Sequence, residues 1–143
     1  MQNRPVMLIL GYAGLLPFYA FLLGAWQLRD WPAAISVQAF VIYSLGILCF
    51  LAGTLWGRVQ AVEQPSISRL LVSNGLVLFA VTAVLTAKAW LASVALMTAY
   101  LALLWYERGA ETLPTWYQLM RRNLTLGVVA AHALFFVLEA TQR

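Results

Sequence analysis

The charged residues of this chain fall into short clusters, and the stretches between them are almost wholly apolar. Beyond Arg4, the clusters are Arg29-Asp30, Arg58, Glu63 to Arg69, Lys88, Glu107 to Arg122 and Glu139 to Arg143. The chain has nine Lys and Arg and five Asp and Glu among 143 residues, and 63% of it is hydrophobic. A soluble domain commits about a quarter of its residues to charge. The layout is that of a polytopic membrane protein, in which each apolar run crosses about 30 Å of hydrocarbon with roughly 20 residues of helix. No polar stretch is long enough for a soluble domain, so a single membrane domain over residues 1–143 is expected.

The expected helices follow from the breaks. The first runs from about Val6 to Leu28 and is stopped by Arg29-Asp30-Trp31-Pro32. Its apolar run is too long for a signal-peptide core and ends without a small-x-small cleavage site, so it reads as a retained span. Within it, Gly11, Gly14 and Pro17 predict a kink, because Pro17 has no N–H for the carbonyl of Ala13. The second helix is expected over 35–56. From Leu70 to Tyr106 the only charge is Lys88, and one helix of that length would be about 55 Å long, nearly twice the hydrocarbon thickness. Two antiparallel helices over 66–87 and 90–107 are therefore expected, turning near Lys88, whose long stem reaches the interface. After Pro114, the residues Trp116, Tyr117, Arg121 and Arg122 read as a short amphipathic segment anchored at the interface, with the arginines toward headgroups. A last helix over 123–140 completes an all-α bundle of five transmembrane helices.

Counting basic residues orients the bundle. If the spans alternate, Arg4, Arg58, Arg69, Arg108, Arg121 and Arg122 share one side, while Arg29, Lys88 and Arg143 share the other. The positive-inside rule puts the N-terminus in the cytoplasm and the C-terminus on the periplasmic side. The basic excess is explained by this topology and not by nucleic acid. Cys49 is the only cysteine, so no intramolecular disulfide is expected.

Three blocks carry a resemblance: Gly11-Tyr12-Ala13-Gly14-Leu15-Leu16-Pro17-Phe18, Tyr43 to Gly57 with its Tyr-x-x-x-Ile-x-x-Phe-x-x-Gly-x-x-Trp-Gly pattern, and Trp116 to Thr125. Through them the chain resembles a family of small bacterial inner-membrane proteins catalogued as a domain of unknown function, with a related domain in a human mitochondrial transmembrane protein. The resemblance implies a multi-helix fold and an inner-membrane location, and it implies no activity.

Residues that might carry chemistry are few. One His, one Cys, no phosphate loop and no carboxylate pair within a span point away from an enzyme, and no metal or cofactor is expected. His132 is the exception, since an ionisable group inside a span is costly and often functional. Thr125, His132 and Glu139 are spaced by seven residues, about two turns, and form one polar stripe that should face the bundle interior. One reading makes His132 a haem ligand, a quinone contact or a proton relay; the favoured one makes it a ring hydrogen-bonded to a neighbouring helix, through Tyr43, Thr54 or Asn74. Tyr12 beside the kink reads as a hydroxyl closing the broken ladder. Gly46, Gly53 and Gly57 share a face of the second helix, with Gly53 and Gly57 as a small-x-x-x-small pair, expected mainly to pack against another helix of the chain and otherwise against another subunit. The functional expectation is a non-enzymatic accessory or scaffold protein of the bilayer that packs against a membrane-protein partner or another copy. The alternatives are a protomer of an oligomeric small-solute transporter or channel, and a haem- or quinone-binding protein that uses His132.

Overall fold

A computed structural model describes residues 4–60, 67–107 and 115–142. The connections 61–66 and 108–114, read from the sequence as polar, lie outside the described residues, as does Arg143. The elements are α1 (Arg4–Ala13), α2 (Leu16–Gln27), α3 (Asp30–Gln60), α4 (Ile67–Thr86), α5 (Ala89–Glu107) and α6 (Thr115–Gln142). They make five helical segments long and apolar enough to cross a membrane, with α1 and α2 together forming the first.

The kink expected at Pro17 is a break in the helix two residues upstream. Gly14 N–H is shared between the carbonyls of Leu10 and Gly11, both at 3.1 Å, and Leu15 N–H goes to Tyr12 at 3.1 Å. The helix restarts with Pro17 in its first turn, where a missing N–H costs nothing. The carbonyl of Gly14 accepts the Tyr43 hydroxyl at 2.9 Å. Tyr43 on α3, and not Tyr12, therefore satisfies the broken ladder. The Tyr12 hydroxyl instead accepts from Asn123 Nδ2 at 3.3 Å.

Between α2 and α3 the chain reverses in two residues. Asp30 takes a positive φ of 56°, a left-handed conformation that Asp tolerates better than most residues. Pro32 then lies in the first turn of α3, so this helix starts five residues earlier than the proline suggested from sequence. The α4–α5 turn consists of Ala87 and Lys88, as the length argument required.

The last helix differs most from expectation. Residues 115–122 are not a separate interfacial segment but the first two turns of α6. No Pro or Gly interrupts Thr115 to Leu126, and Arg is a good helix former. The charges there are accommodated by pairing in space, described below, and they do not end the span.

The helices close into a ring. The α1–α2 span packs on α3 and α6, α3 on α4, α4 on α5 and α5 on α6, and α3 also meets α5 across the middle. The close approaches are made by small residues: Ala52, Ala80, Ala92, Ala99 and Ala131, with Ser44, Ser73 and Ser93, are all buried. Ser73 also donates to the carbonyl of Ala52 at 2.8 Å, tying α4 to α3.

The glycine face is a correction. Gly46, Gly53 and Gly57 look outward from α3, and an added Cβ at any of them meets no atom within 4 Å. Seven- and four-residue spacing places them on one face but does not say which way that face points. The glycines that do pack closely are Gly11, Gly24 and Gly127: a Cβ on Gly127 would lie 3.0 Å from Leu15, and one on Gly24 would lie 2.5 Å from Ser36 Oγ and 3.2 Å from its Cβ. Gly24→Leu should accordingly lower stability by about 1–3 kcal/mol through overpacking of α2 on α3. Unchanged thermal unfolding of that variant in the same detergent would contradict the close approach.

Candidate functional site around His132

α6 presents Thr125, His132 and Glu139 at two-turn intervals, and all three are buried, as the stripe reading expected. His132 is 0% exposed. Its Nδ1 lies 2.9 Å from the carbonyl of Val128, one turn earlier. A carbonyl can only accept, so Nδ1 carries the proton, and in the neutral ring Nε2 then presents its lone pair. The Ser44 hydroxyl on α3 donates to that lone pair at 2.8 Å. The partner is thus Ser44, and not Tyr43, Thr54 or Asn74.

Further bonds extend the cluster. The Tyr100 hydroxyl on α5 donates to the carbonyl of Ser44 at 2.6 Å. Ser93, also on α5, donates a long bond to the carbonyl of His132 at 3.5 Å. Aromatic rings enclose the imidazole: Phe40 at 4.9 Å, Tyr100 at 5.7 Å and Phe18 at 5.8 Å between centroids. Phe135 stacks flat on Phe40 at 4.4 Å, and Phe18 meets Tyr43 edge-on at 5.0 Å. Residues from α2, α3, α5 and α6 therefore converge on one ring at the centre of the bundle.

This arrangement defines what His132 can do. Both ring nitrogens are bonded to groups of the same chain, inside a closed aromatic shell. Ligation of a metal or haem through Nε2 would have to displace Ser44, and proton relay would need a path through Phe18, Phe40 and Tyr100. The geometry is that of a clasp holding α3 to α6. Among the described residues, no three of His, Cys, Asp and Glu gather where they could hold a metal ion.

A second polar cluster lies where α5 ends and α6 begins. Arg121 Nη2 and Glu107 Oε2 are 2.5 Å apart, with side chains only 7% and 6% exposed. Arg121 Nη1 also reaches Thr54 Oγ1 at 3.5 Å, and its Nε is buried without a hydrogen-bond partner. The two arginines expected as interfacial anchors thus divide. Arg122 is exposed, whereas Arg121 turns inward to its carboxylate. Trp116 and Tyr117 meet edge-on at 5.9 Å, and the Arg4 guanidinium sits 5.2 Å from the centre of the Trp116 ring, joining the starts of α1 and α6.

Sequence reasoning found His132 but missed Ser44, Tyr100 and Glu107. Ser44 had a readable signal, being a hydroxyl in the middle of an apolar helix that needs a partner inside the bilayer. Glu107 carried none, because its position at a helix end is where a solvated charge is ordinarily found.

The fold and these two clusters define a class: an all-α polytopic membrane bundle whose five spans close around a buried histidine clasp. Within that class, the model of the family described as "Protein of unknown function (DUF3429)" matches residues 3–137, and the chain belongs to this family. No curated protein and no solved structure matches it.

Proposed function

We propose that this protein is a non-enzymatic accessory or scaffold subunit of a bacterial inner membrane, and that a transmembrane helix of a partner subunit docks on the outer face of α3. The observation that supports this most is the outward glycine face: Gly46, Gly53 and Gly57 leave the backbone of α3 uncovered, beside Phe50 at 72% exposure. A bare backbone face lets a second helix approach closely, and in hydrocarbon such packing is what drives association. The engagement of both His132 nitrogens within the chain is in keeping with an interior devoted to holding the fold. The placement of six basic residues on one side of the spans and three on the other supports a cytoplasmic N-terminus and a periplasmic C-terminus.

The test is site-specific photocrosslinking in intact membranes. A photoreactive phenylalanine analogue in place of Phe50 should give one discrete protein adduct, whereas the same probe in place of Leu85, which is 79% exposed on α4, should give none. Gly53→Leu should abolish the adduct while changing stability by less than about 0.5 kcal/mol, since the side chain enters open space. An adduct indifferent to Gly53→Leu, or the same products from both positions, would defeat the proposal.

A further inference from the structure

At the opposite end of the molecule from Arg121, the last turns of α6 stand beside the α4–α5 turn and leave a cavity of about 660 Å³. Lys88, Ala89, Trp90, Phe136, Glu139 and Ala140 line it. Lys88 comes from the turn itself and is exposed, while Glu139 is only 6% exposed. Trp90 and Phe136 form one aromatic wall, edge to face at 5.9 Å.

The depth of this cavity matters. Lys88 lies between two candidate spans and Glu139 in the last turn of a third, so both charges belong to span ends, where the headgroup region of a bilayer begins. A cavity there that offers a cation, a carboxylate and an aromatic wall matches a ligand with the complementary set: an anion, a cation and an apolar tail. A purely anionic headgroup would be attracted by Lys88 and repelled by Glu139. A purely cationic one would meet the reverse.

We propose that this cavity seats the phosphoethanolamine headgroup of a membrane phospholipid. Lys88 faces the phosphate as a point charge, and the primary ammonium donates to Glu139 and lies against the Trp90 ring. An ionised carboxylate has about four acceptor positions, so it takes this donor in addition to the contacts it already makes. The glycerol and the first methylenes run down the Trp90–Phe136 wall into the bilayer. A trimethylammonium group cannot donate a hydrogen bond, so phosphatidylcholine fits the site less well.

Delipidated full-length protein in mild detergent, titrated with phosphatidylethanolamine, phosphatidylglycerol or phosphatidylcholine of identical chains, tests this by native mass spectrometry. One phosphatidylethanolamine should be retained per chain, with about a tenfold preference over the other two, the worth of one charge-assisted hydrogen bond. Glu139→Gln should remove the preference over phosphatidylglycerol, and Lys88→Gln, in an exposed turn that leaves the helices intact, should weaken retention of phosphatidylethanolamine about tenfold. Soluble glycerophosphoethanolamine at the same concentration should not displace the lipid. Equal retention of the three lipids, retention unaffected by Lys88→Gln, or displacement by the soluble headgroup would each overturn the assignment. The Lys88→Gln arm decides the matter if Glu139→Gln fails to fold.

Discussion

Arg121→Met should destabilise the protein by about 3–5 kcal/mol, the largest loss expected from any single polar substitution in the chain. The guanidinium and the Glu107 carboxylate are both almost wholly removed from solvent, and removing one leaves the other buried and uncompensated. Methionine keeps much of the arginine stem's volume, so the loss reports charge and not packing. The double variant Arg121→Met with Glu107→Gln should recover most of it, because the pair in isolation is worth little once its desolvation is counted. Arg122→Met, one residue away and exposed, should change stability by less than about 0.5 kcal/mol. Chemical or thermal unfolding of the wild type, Arg121→Met, Glu107→Gln and their double variant in one detergent gives the cycle directly. Equal losses for Arg121→Met and Arg122→Met would mean that the ion pair does not hold α5 to α6.

His132→Leu should cost about 2–4 kcal/mol, with two contributions. The Ser44 hydroxyl loses its acceptor deep in the bundle, worth about 1–3 kcal/mol, and the aromatic shell loses a well-fitted flat ring. Ser44→Ala should cost about 1–3 kcal/mol for the same reason seen from the other side, since Nε2 is then left bare. The two losses should not add: residues in one hydrogen bond couple by about 0.5–3 kcal/mol, so the double variant should be little worse than His132→Leu alone. His132→Gln, which can both accept from Ser44 and donate to a carbonyl, should retain the fold and the adduct expected at position 50. Retention of fold without that adduct would give His132 a task beyond the clasp and would reopen the ligand and relay readings.

The number of spans was legible because hydrocarbon thickness sets helix length, and so was the turn at Lys88, since the apolar run from Leu70 to Tyr106 cannot cross once. The inward stripe was legible because seven-residue spacing sets Thr125 and Glu139 on the face of His132, and the cost of an ionisable ring in hydrocarbon turns that face inward. The start of α6 was not, because a charge in a sequence looks solvated until its partner is known; Glu107 and Arg121 are separated by a connection whose length says nothing about where they meet. The glycine face failed for a related reason. Periodicity assigns residues to a common face, but only the closed ring of helices decides which faces are inward, and that ring turned Ser44, Leu48 and Ala52 inward and Gly46, Gly53 and Gly57 outward. The alanine contacts that hold the ring were unreadable, since such residues are common on every face of a membrane helix.

The interruption at Gly14 and Leu15 gives the bundle two mechanical parts. α1 is a rod of about 15 Å with no buried residue, attached to α6 by the close approach of Gly11 to Met120 and by the Arg4–Trp116 and Tyr12–Asn123 contacts. α2 is locked into the aromatic shell through Phe18. A continuous first span would have to tilt as a whole when the bilayer thins or thickens, dragging Phe18 against the imidazole. With the span divided, a few ångströms of mismatch are absorbed by the inclination of α1 alone, at fractions of a kcal/mol per Å, while the central clasp keeps its geometry.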